Sequence, residues 1–454
     1  MFKQLRTVLR QVSPDKFVVY DFESSGLSTT QDQITQIGAI SLTQDFKPIE
    51  TLDVLVKPRL DVIANPMAAL TTMISPSQQL KNGIPEREAT QKLLSLIERT
   101  ETKYMLGYNN ERFDSKVLNH AAYRNLACPK PHNLFLTQLD AFKLVLLAQS
   151  LRKHSITFEE KENGKPNLKL ESLCPLNGIE LTEAHNALAD ITATYQLTEL
   201  LAKREPTLFQ YWLDLSNPYN VDTLTESGDF FLDVNTAYGS KTRYTRPTFL
   251  AKKNKAGGFL LDLTLNFDTN EKYLFQKFNK YNTPLLTEVT EQQGSNLLID
   301  LGFDSDLINE QLEKARNTDI DALFNEWEAK HKKEPKDWGD DPYSDSFTKF
   351  GPKELCDVAS YLNGQPSTEL CTSRVKQIAE RIEAFQYNCA VESTKLKDYA
   401  RSKLPENNKF TKETIEETTK LLGSDETSAE QKEILKDLLT HTNDQLHLLA
   451  TLSQ

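Results

Sequence analysis

Four carboxylates and one histidine arrive in three short motifs in the first half of the chain. Asp21-Phe22-Glu23 closes a β-patterned run, FVVYDF (17–22). In a strand, side chains at i and i+2 share a face, so Asp21 and Glu23 project together while Phe22 turns away. NNERFD (109–114) puts Asp114 in the first turn of a helix that follows a strand, where the helix dipole favours negative charge. His185 just precedes a helix that Asn186 is placed to cap and that contains Asp190. Singly, each motif has a plain reading as solvated acids at element ends. Together, four carboxylates from three elements suit hard divalent ions, Mg²⁺ or Mn²⁺. Two such ions about 4 Å apart clamp the attacking and leaving oxygens of a phosphodiester. His185 titrates near neutrality and can take the proton of the attacking water. The predicted chemistry is metal-dependent phosphodiester hydrolysis.

The elements that must carry these residues read as α/β. FVVYDF, ITQIGAISL (34–42) and LDVLVKP (52–58) form a three-strand meander. Pro85 opens a helix with Ala89, Leu93, Leu94 and Ile97 on one stripe. YMLGY (104–108) is a short strand, and the helix behind it is capped by Asn109 or Asn110. ALADITATYQLTELLAKRE closes the region before Pro206, completing an architecture with a mixed sheet. Beyond it, DFFLDV, TRPTFLAK, GFLLDLTL and SNLLIDLG read as strands of a small β-rich domain, and QLEKARNTDIDALFNEWEAKHKK as a helix. From residue 351 onward the pattern is almost wholly helical and predicts a bundle.

Bulk properties narrow the class. The length suggests roughly three domains. Five scattered cysteines without a C-x-x-C pair argue for reduced thiols and against a zinc site or a secreted framework. No signal peptide and no apolar run long enough for a bilayer is visible, so a cytoplasmic protein with no membrane association is expected, acting as a monomer. The net charge of −12 does not exclude a nucleic-acid partner, because phosphate is bound by local basic surface. Segment 241–255, KTRYTRPTFLAKKNK, carries Lys241, Arg243, Arg246, Lys252, Lys253 and Lys255 without an acid, interleaved with Tyr244 and Phe249. Cations for the backbone and rings for bases are a single-strand-binding composition, with a solvated hairpin as the plain alternative.

The order D-x-E, N-x-x-[RK]-F-D, H-x4-D resembles the DEDDh exonucleases, which share a ribonuclease H-like fold. Within that superfamily the chain is most similar to the bacterial Exonuclease I family of 3′→5′ single-stranded DNA exonucleases. YDFESSG, LGYNNERFDSKVLNHAAYRNL, AHNALADITATYQL and REPTLFQYW carry the resemblance, over roughly residues 17–212. It implies an exonuclease domain at 1–204, an SH3-like β-rich DNA-binding domain at 205–350 and a helical domain at 351–454. By the resemblance, Asp21, Glu23, Asp114 and Asp190 are the ligands of two Mg²⁺ ions, for which Mn²⁺ substitutes, and His185 is the general base. The products would be 5′-mononucleotides, and the role DNA repair or recombination. LTTMISP (70–76) resembles the family's T-G-I-T-P loop against the 3′-terminal nucleotide, with Met73 at the apolar position and Thr72 at the glycine. Arg112 matches a DNA-contacting arginine, and Lys169 replaces another. Arg152 and Tyr211 stand where the family's pocket for the acidic tail of single-stranded DNA-binding protein would be.

Two other readings keep parts of this picture. An RNA or short-oligonucleotide exonuclease would share the chemistry but differ in how its pocket treats the 2′-OH. A catalytically idle binding protein on a nuclease frame would usually lack one or more ligands, and here all five positions stand in motif context.

Overall fold

The computed structural model describes residues 16–127, 137–181, 186–235, 244–267, 272–289, 291–331 and 350–454. The expected meander is present as β1 (Phe17–Ser24), β2 (Ile34–Leu42) and β3 (Pro48–Leu55), successive neighbours antiparallel. Every residue of β2 is buried, as expected of an inner strand covered on both faces. Two short helices, α1 (Pro66–Thr72) and α2 (Pro76–Asn82), precede α3 (Glu86–Arg99). The α3 stripe buries Ala89, Leu93, Leu96 and Ile97 in the same core as Val18, Tyr20 and Phe22 of β1. β4 (Tyr104–Gly107) then pairs parallel to β1, and with β5 (Thr137–Asp140) the sheet order is β3-β2-β1-β4-β5, the mixed α/β sheet expected.

Between β4 and β5 lies α4 (Asp114–Arg124), and neither Asn109 nor Asn110 caps it. The residue before the helix is Phe113, with no side-chain cap. The Asn110 side chain instead donates to the Tyr20 hydroxyl, and its carbonyl accepts from the Phe113 and Ser115 amides. A tertiary bond outcompetes the local cap.

The chain divides into two compact units. The second comprises Thr137–Leu181 and Ala193–Lys336. It begins with β5, α5 (Ala141–Leu151) and α6 (Leu170–Leu176), followed by most of α7 (Ala187–Arg204), α8 (Pro206–Leu215) and α9 (Pro218–Ser227). Its own antiparallel sheet has the order β10-β6-β7-β8-β9, built from β6 (Phe230–Val234), β7 (Thr245–Asn254), β8 (Gly257–Asp262), β9 (Phe275–Asn279) and β10 (Leu286–Glu288). SNLLIDLG is not a strand: it belongs to α10 (Glu291–Asp300), where Leu297, Leu298 and Leu301 pack as a helical stripe. Gly302, at φ 73°, ends that helix. The long helix expected after it is two, α11 (Ser305–Asn317) and α12 (Ile320–His331), because Asp319 caps a new start at the Ala322 amide.

The first unit joins the nuclease-patterned segment Met1–Leu136 and Thr182–Thr192 to Asp337–Gln454. Its C-terminal helices are α13 (Pro352–Leu362), α14 (Ser373–Tyr387), α15 (Thr394–Ser402), α16 (Lys409–Leu422) and α17 (Ala429–Leu452). Val375, Ile378, Ile382 and Phe385 of α14 share one core with Leu60, Tyr123 and Leu126. A buried polar cluster ties the same pieces together. The Glu86 carboxylate accepts from Arg59 (3.1 Å), Arg124 (3.0 Å), Asn125 (2.9 Å) and the Ile34 amide (3.1 Å). Arg59 also grips Asp61 through two nitrogens at 3.0 and 2.8 Å, and Tyr399 of α15 donates to Asp61 at 3.1 Å. Gln445 of α17 donates to the backbone carbonyls of Arg59 (2.8 Å) and Val62 (3.1 Å).

Burial alone would raise the Glu86 carboxyl, but Arg124 and Arg59 beside it hold it down at about 2. Because the folded value lies below the usual 4.5, the stabilisation is complete above 4.5 and is lost as pH falls towards 2. Glu86→Ala strands two buried guanidinium groups, and urea unfolding at neutral pH should show a loss of about 3–5 kcal/mol. Glu86→Gln should flatten the acid limb of a stability–pH curve; an unchanged limb would assign it to other carboxylates.

Candidate metal centre and active site

At the end of β1 the alternation holds. Tyr20 and Phe22 face the core, while Asp21 and Glu23 emerge half-buried on the other side. In register, Asp21 lies opposite Gly38 of β2. A Cβ at Gly38 would come within 2.8–2.9 Å of Ala187, the first residue of α7. Glycine therefore lets the start of α7 lie against the sheet beside Asp21. Asn186 caps that helix as expected, its side chain accepting from the amides of Leu188 (3.1 Å) and Ala189 (3.3 Å). Three residues into α7, Asp190 meets the pair: ligand oxygens of Asp21, Glu23 and Asp190 all lie within 4.8 Å of one another. Among the described residues this is the one grouping of acid, histidine or cysteine side chains close enough to share an ion.

Asp114 joins from the opposite flank. It is buried as the first residue of α4, and its carboxylate accepts from the Phe22 amide at 3.3 Å, between the two β1 acids. Ser115 beside it bonds the Tyr20 hydroxyl at 2.9 Å, so both residues at the start of α4 are fastened to β1.

The electrostatics show what the cluster lacks. Burial, with the charges of Asp114 and Asp190, pushes the Asp21 carboxyl well above the usual range. Burial, with Asp21 and Asp190, raises Glu23 to about 8. Crowded carboxylates resist ionising together, and a hard divalent cation reverses that preference. The donor set is all carboxylate oxygen, which fits Mg²⁺ or Mn²⁺ and not a thiolate-loving metal.

The remaining sequence candidates are distributed widely. His185, Lys241 and Arg243 lie outside the described residues. Arg112 is exposed in the turn before α4. Met73 follows α1 with φ 54°, a left-handed conformation that suits glycine. Thr72, which the resemblance sets at the glycine, is the last residue of α1. In the second unit, three cations of the basic segment meet acids from other elements. Arg246 pairs with Asp262 (3.4 Å), Lys252 with Asp321 (3.6 Å) and Lys253 with Glu226 (3.8 Å). Lys169 pairs with Glu171 (2.9 Å) and Arg152 with Glu205 (3.6 Å), while the Tyr211 hydroxyl donates to the Leu286 carbonyl.

Sequence reading missed Gly38, whose only signal was a glycine inside a strand. It also missed a cavity of about 820 Å³ that opens beside Glu23 and reaches Phe410 in α16. No local pattern connects residues so far apart in the chain.

Residues 18–198 match the exonuclease family model (RNase_T). The chain is 30% identical over 215 residues to exodeoxyribonuclease I of Haemophilus influenzae, covering 47% of this chain and 45% of that protein. It spans about half the length of the curated relatives it matches. Its fold matches Escherichia coli Exonuclease I solved with a dA16 oligonucleotide, with a TM-score of 0.82 at 20% identity over 95% of this chain and 100% of that one. It likewise matches a crystal structure of SSB/Exonuclease I with the inhibitor CFAM, with a TM-score of 0.81 at 20% identity over 95% and 100% of the two chains. No helix among the described residues is long and apolar enough to cross a membrane.

Gly38→Ala forces α7 away from β1 while leaving every carboxylate in place. Titration calorimetry with Mn²⁺ should show affinity falling roughly tenfold or more, as for other losses of ligand positioning. Unchanged affinity would mean that Asp190 does not depend on this close approach.

Proposed function

We propose that the chain is a metal-dependent 3′→5′ exodeoxyribonuclease that hydrolyses single-stranded DNA to 5′-mononucleotides. The observation that carries this reading is the convergence of Asp21, Glu23 and Asp190 within 4.8 Å, with Asp114 anchored on the Phe22 amide between them. It sits within the residues that match the exonuclease family model. Asp21, Glu23, Asp114 and Asp190 would hold two Mg²⁺ ions, with Mn²⁺ able to substitute. Divalent cations bound there would supply charge neutralisation at the scissile phosphate and acidify water. His185, ahead of Asp190 in the chain, is assigned to receive the proton of the attacking water. The Phe22 amide on the Asp114 carboxylate and the Tyr20–Ser115 hydroxyl bond fasten the start of α4 to β1, which supports a preorganised centre.

DNA repair or recombination and the three-part layout at 1–204, 205–350 and 351–454 belong to the same proposal. So does the acidic tail of single-stranded DNA-binding protein as partner at Arg152 and Tyr211. The antiparallel sheet of the second unit and the similarity to the SSB/Exonuclease I structure support those assignments. Met73, Arg112, Lys169 and the basic segment, including Lys241 and Arg243, are proposed as DNA contacts. Lys252 and Lys253 would exchange their carboxylates for phosphates.

A 5′-labelled single strand should shorten to a ladder with Mg²⁺ and stay intact with EDTA. Asp114→Asn should slow the cleavage by at least roughly a hundredfold. A ladder that persists in EDTA, or only on a matched RNA strand, would overturn the reading. Reversing charge at Lys252 and Lys253 together should weaken binding to long strands and reduce the log–log salt slope by about 1.4, from ~0.7 per phosphate contact. An unchanged slope would remove both lysines from the DNA path.

A further inference from the structure

Asp437, His441 and Gln445 stand at i, i+4 and i+8 along one face of α17. The outer two fasten that helix to the strand-bearing part of the first unit. Asp437 accepts from the Ser77 amide at 2.9 Å and the Ser77 hydroxyl at 2.6 Å, at the start of α2. Gln445 donates to the Arg59 and Val62 carbonyls. His441, between them, lines a cavity of about 30 Å³ together with Thr35 of β2. The Thr35 hydroxyl and His441 Nε2 are both shut off from solvent, and neither has a hydrogen-bond partner among the described residues.

Ser24, Ser25 and Gln33, which also line this cavity, are engaged elsewhere. Ser24 donates to the Gly26 carbonyl at 2.7 Å and Ser25 to the Asp32 carboxylate at 2.9 Å. Gln33 donates to the Lys57 carbonyl at 3.0 Å and accepts from the Arg59 amide at 2.6 Å. A buried polar group left without a partner carries the full cost of its desolvation. The cavity exceeds the space one water molecule needs, and two polar groups suffice to hold it. Burial keeps the His441 imidazole below its usual range against the pull of Asp437 and Asp444, so the ring is neutral at pH 7. Every other residue lining the cavity is uncharged, which suits a neutral ligand better than an ion. A hydroxyl can both give and take a hydrogen bond, and a neutral imidazole nitrogen does one or the other according to its tautomer. Water complements either arrangement.

We propose that this cavity is a built water site, in which one internal water bridges the Thr35 hydroxyl of β2 to Nε2 of His441. The bridge is the third tie along the α17 face, between those made directly by Asp437 and Gln445. Ser24, Val62 and Thr72 line both this cavity and the larger one beside Glu23. The water therefore stands one layer of side chains behind the wall of the candidate site, and it holds α17 against that wall. The inference does not depend on the exonuclease reading.

The test pairs a crystal structure of the full chain with thermal melting at about pH 8, where His441 is uncharged. One solvent peak should lie within about 3.2 Å of both the Thr35 hydroxyl oxygen and His441 Nε2. Thr35→Val removes the hydroxyl while keeping the shape, and it should lower the melting temperature by about 2 °C. In a dry cavity the same change would relieve a buried unpaired hydroxyl and leave the protein at least as stable. Added to His441→Leu, Thr35→Val should cost less than it does alone, because the bridge is already broken. A cavity without solvent, a direct bond between the two side chains, fully additive losses, or a Thr35→Val protein as stable as wild type would each overturn the bridge.

Discussion

The first unit depends on one buried carboxylate. Glu86 has almost no access to water, yet it remains charged because two arginines, an asparagine and a backbone amide surround it. Desolvation of such a group is tolerable only when nearly every lone pair has a partner. Those partners come from separate parts of the chain: Ile34 on β2, Arg59 after β3, and Arg124 and Asn125 at the end of α4. Through Arg59 and Asp61 the cluster reaches Tyr399 and Gln445 in the C-terminal helices. Directional polar contacts fix register where apolar packing alone would permit sliding. Both strand β1 and helix α4, which bear Asp21, Glu23 and Asp114, abut this cluster's elements.

A second constraint works in the opposite sense. The acidic cluster gathers carboxylates that disfavour one another's charge, and the fold must press them together. The contacts that do so include an amide to Asp114, a glycine opposite Asp21, and a capped helix start before Asp190. The free energy for holding them comes from the apolar core beneath β1, where Val18, Tyr20 and Phe22 are buried. Stability and function are separated by strand alternation, one face for each.

The sequence carried the local half of this arrangement. The i, i+2 spacing of Asp21 and Glu23, the meander, the α3 stripe and the Asn186 cap are properties of a few consecutive residues, and they hold in the structure. The misreadings came where tertiary partners overrode local preference. Asn110 left its capping role for Tyr20, and SNLLID became helical because Leu297, Leu298 and Leu301 pack on one side. The acids beside Arg246, Lys252 and Lys253 were not legible because Asp262, Asp321 and Glu226 are distant in sequence. Gly38 was silent for the same reason: its importance lies in what approaches it, and a single sequence does not display that.

The bond from Gln445 to the Arg59 carbonyl also has a mechanical consequence. Residues 386 positions apart close one corner, and Tyr399 reaches Asp61 across 338. The Arg59–Asp61 turn is therefore complete only when α15 and α17 are packed on it. Loosening either helix would be felt in the strand-bearing segment as well as locally.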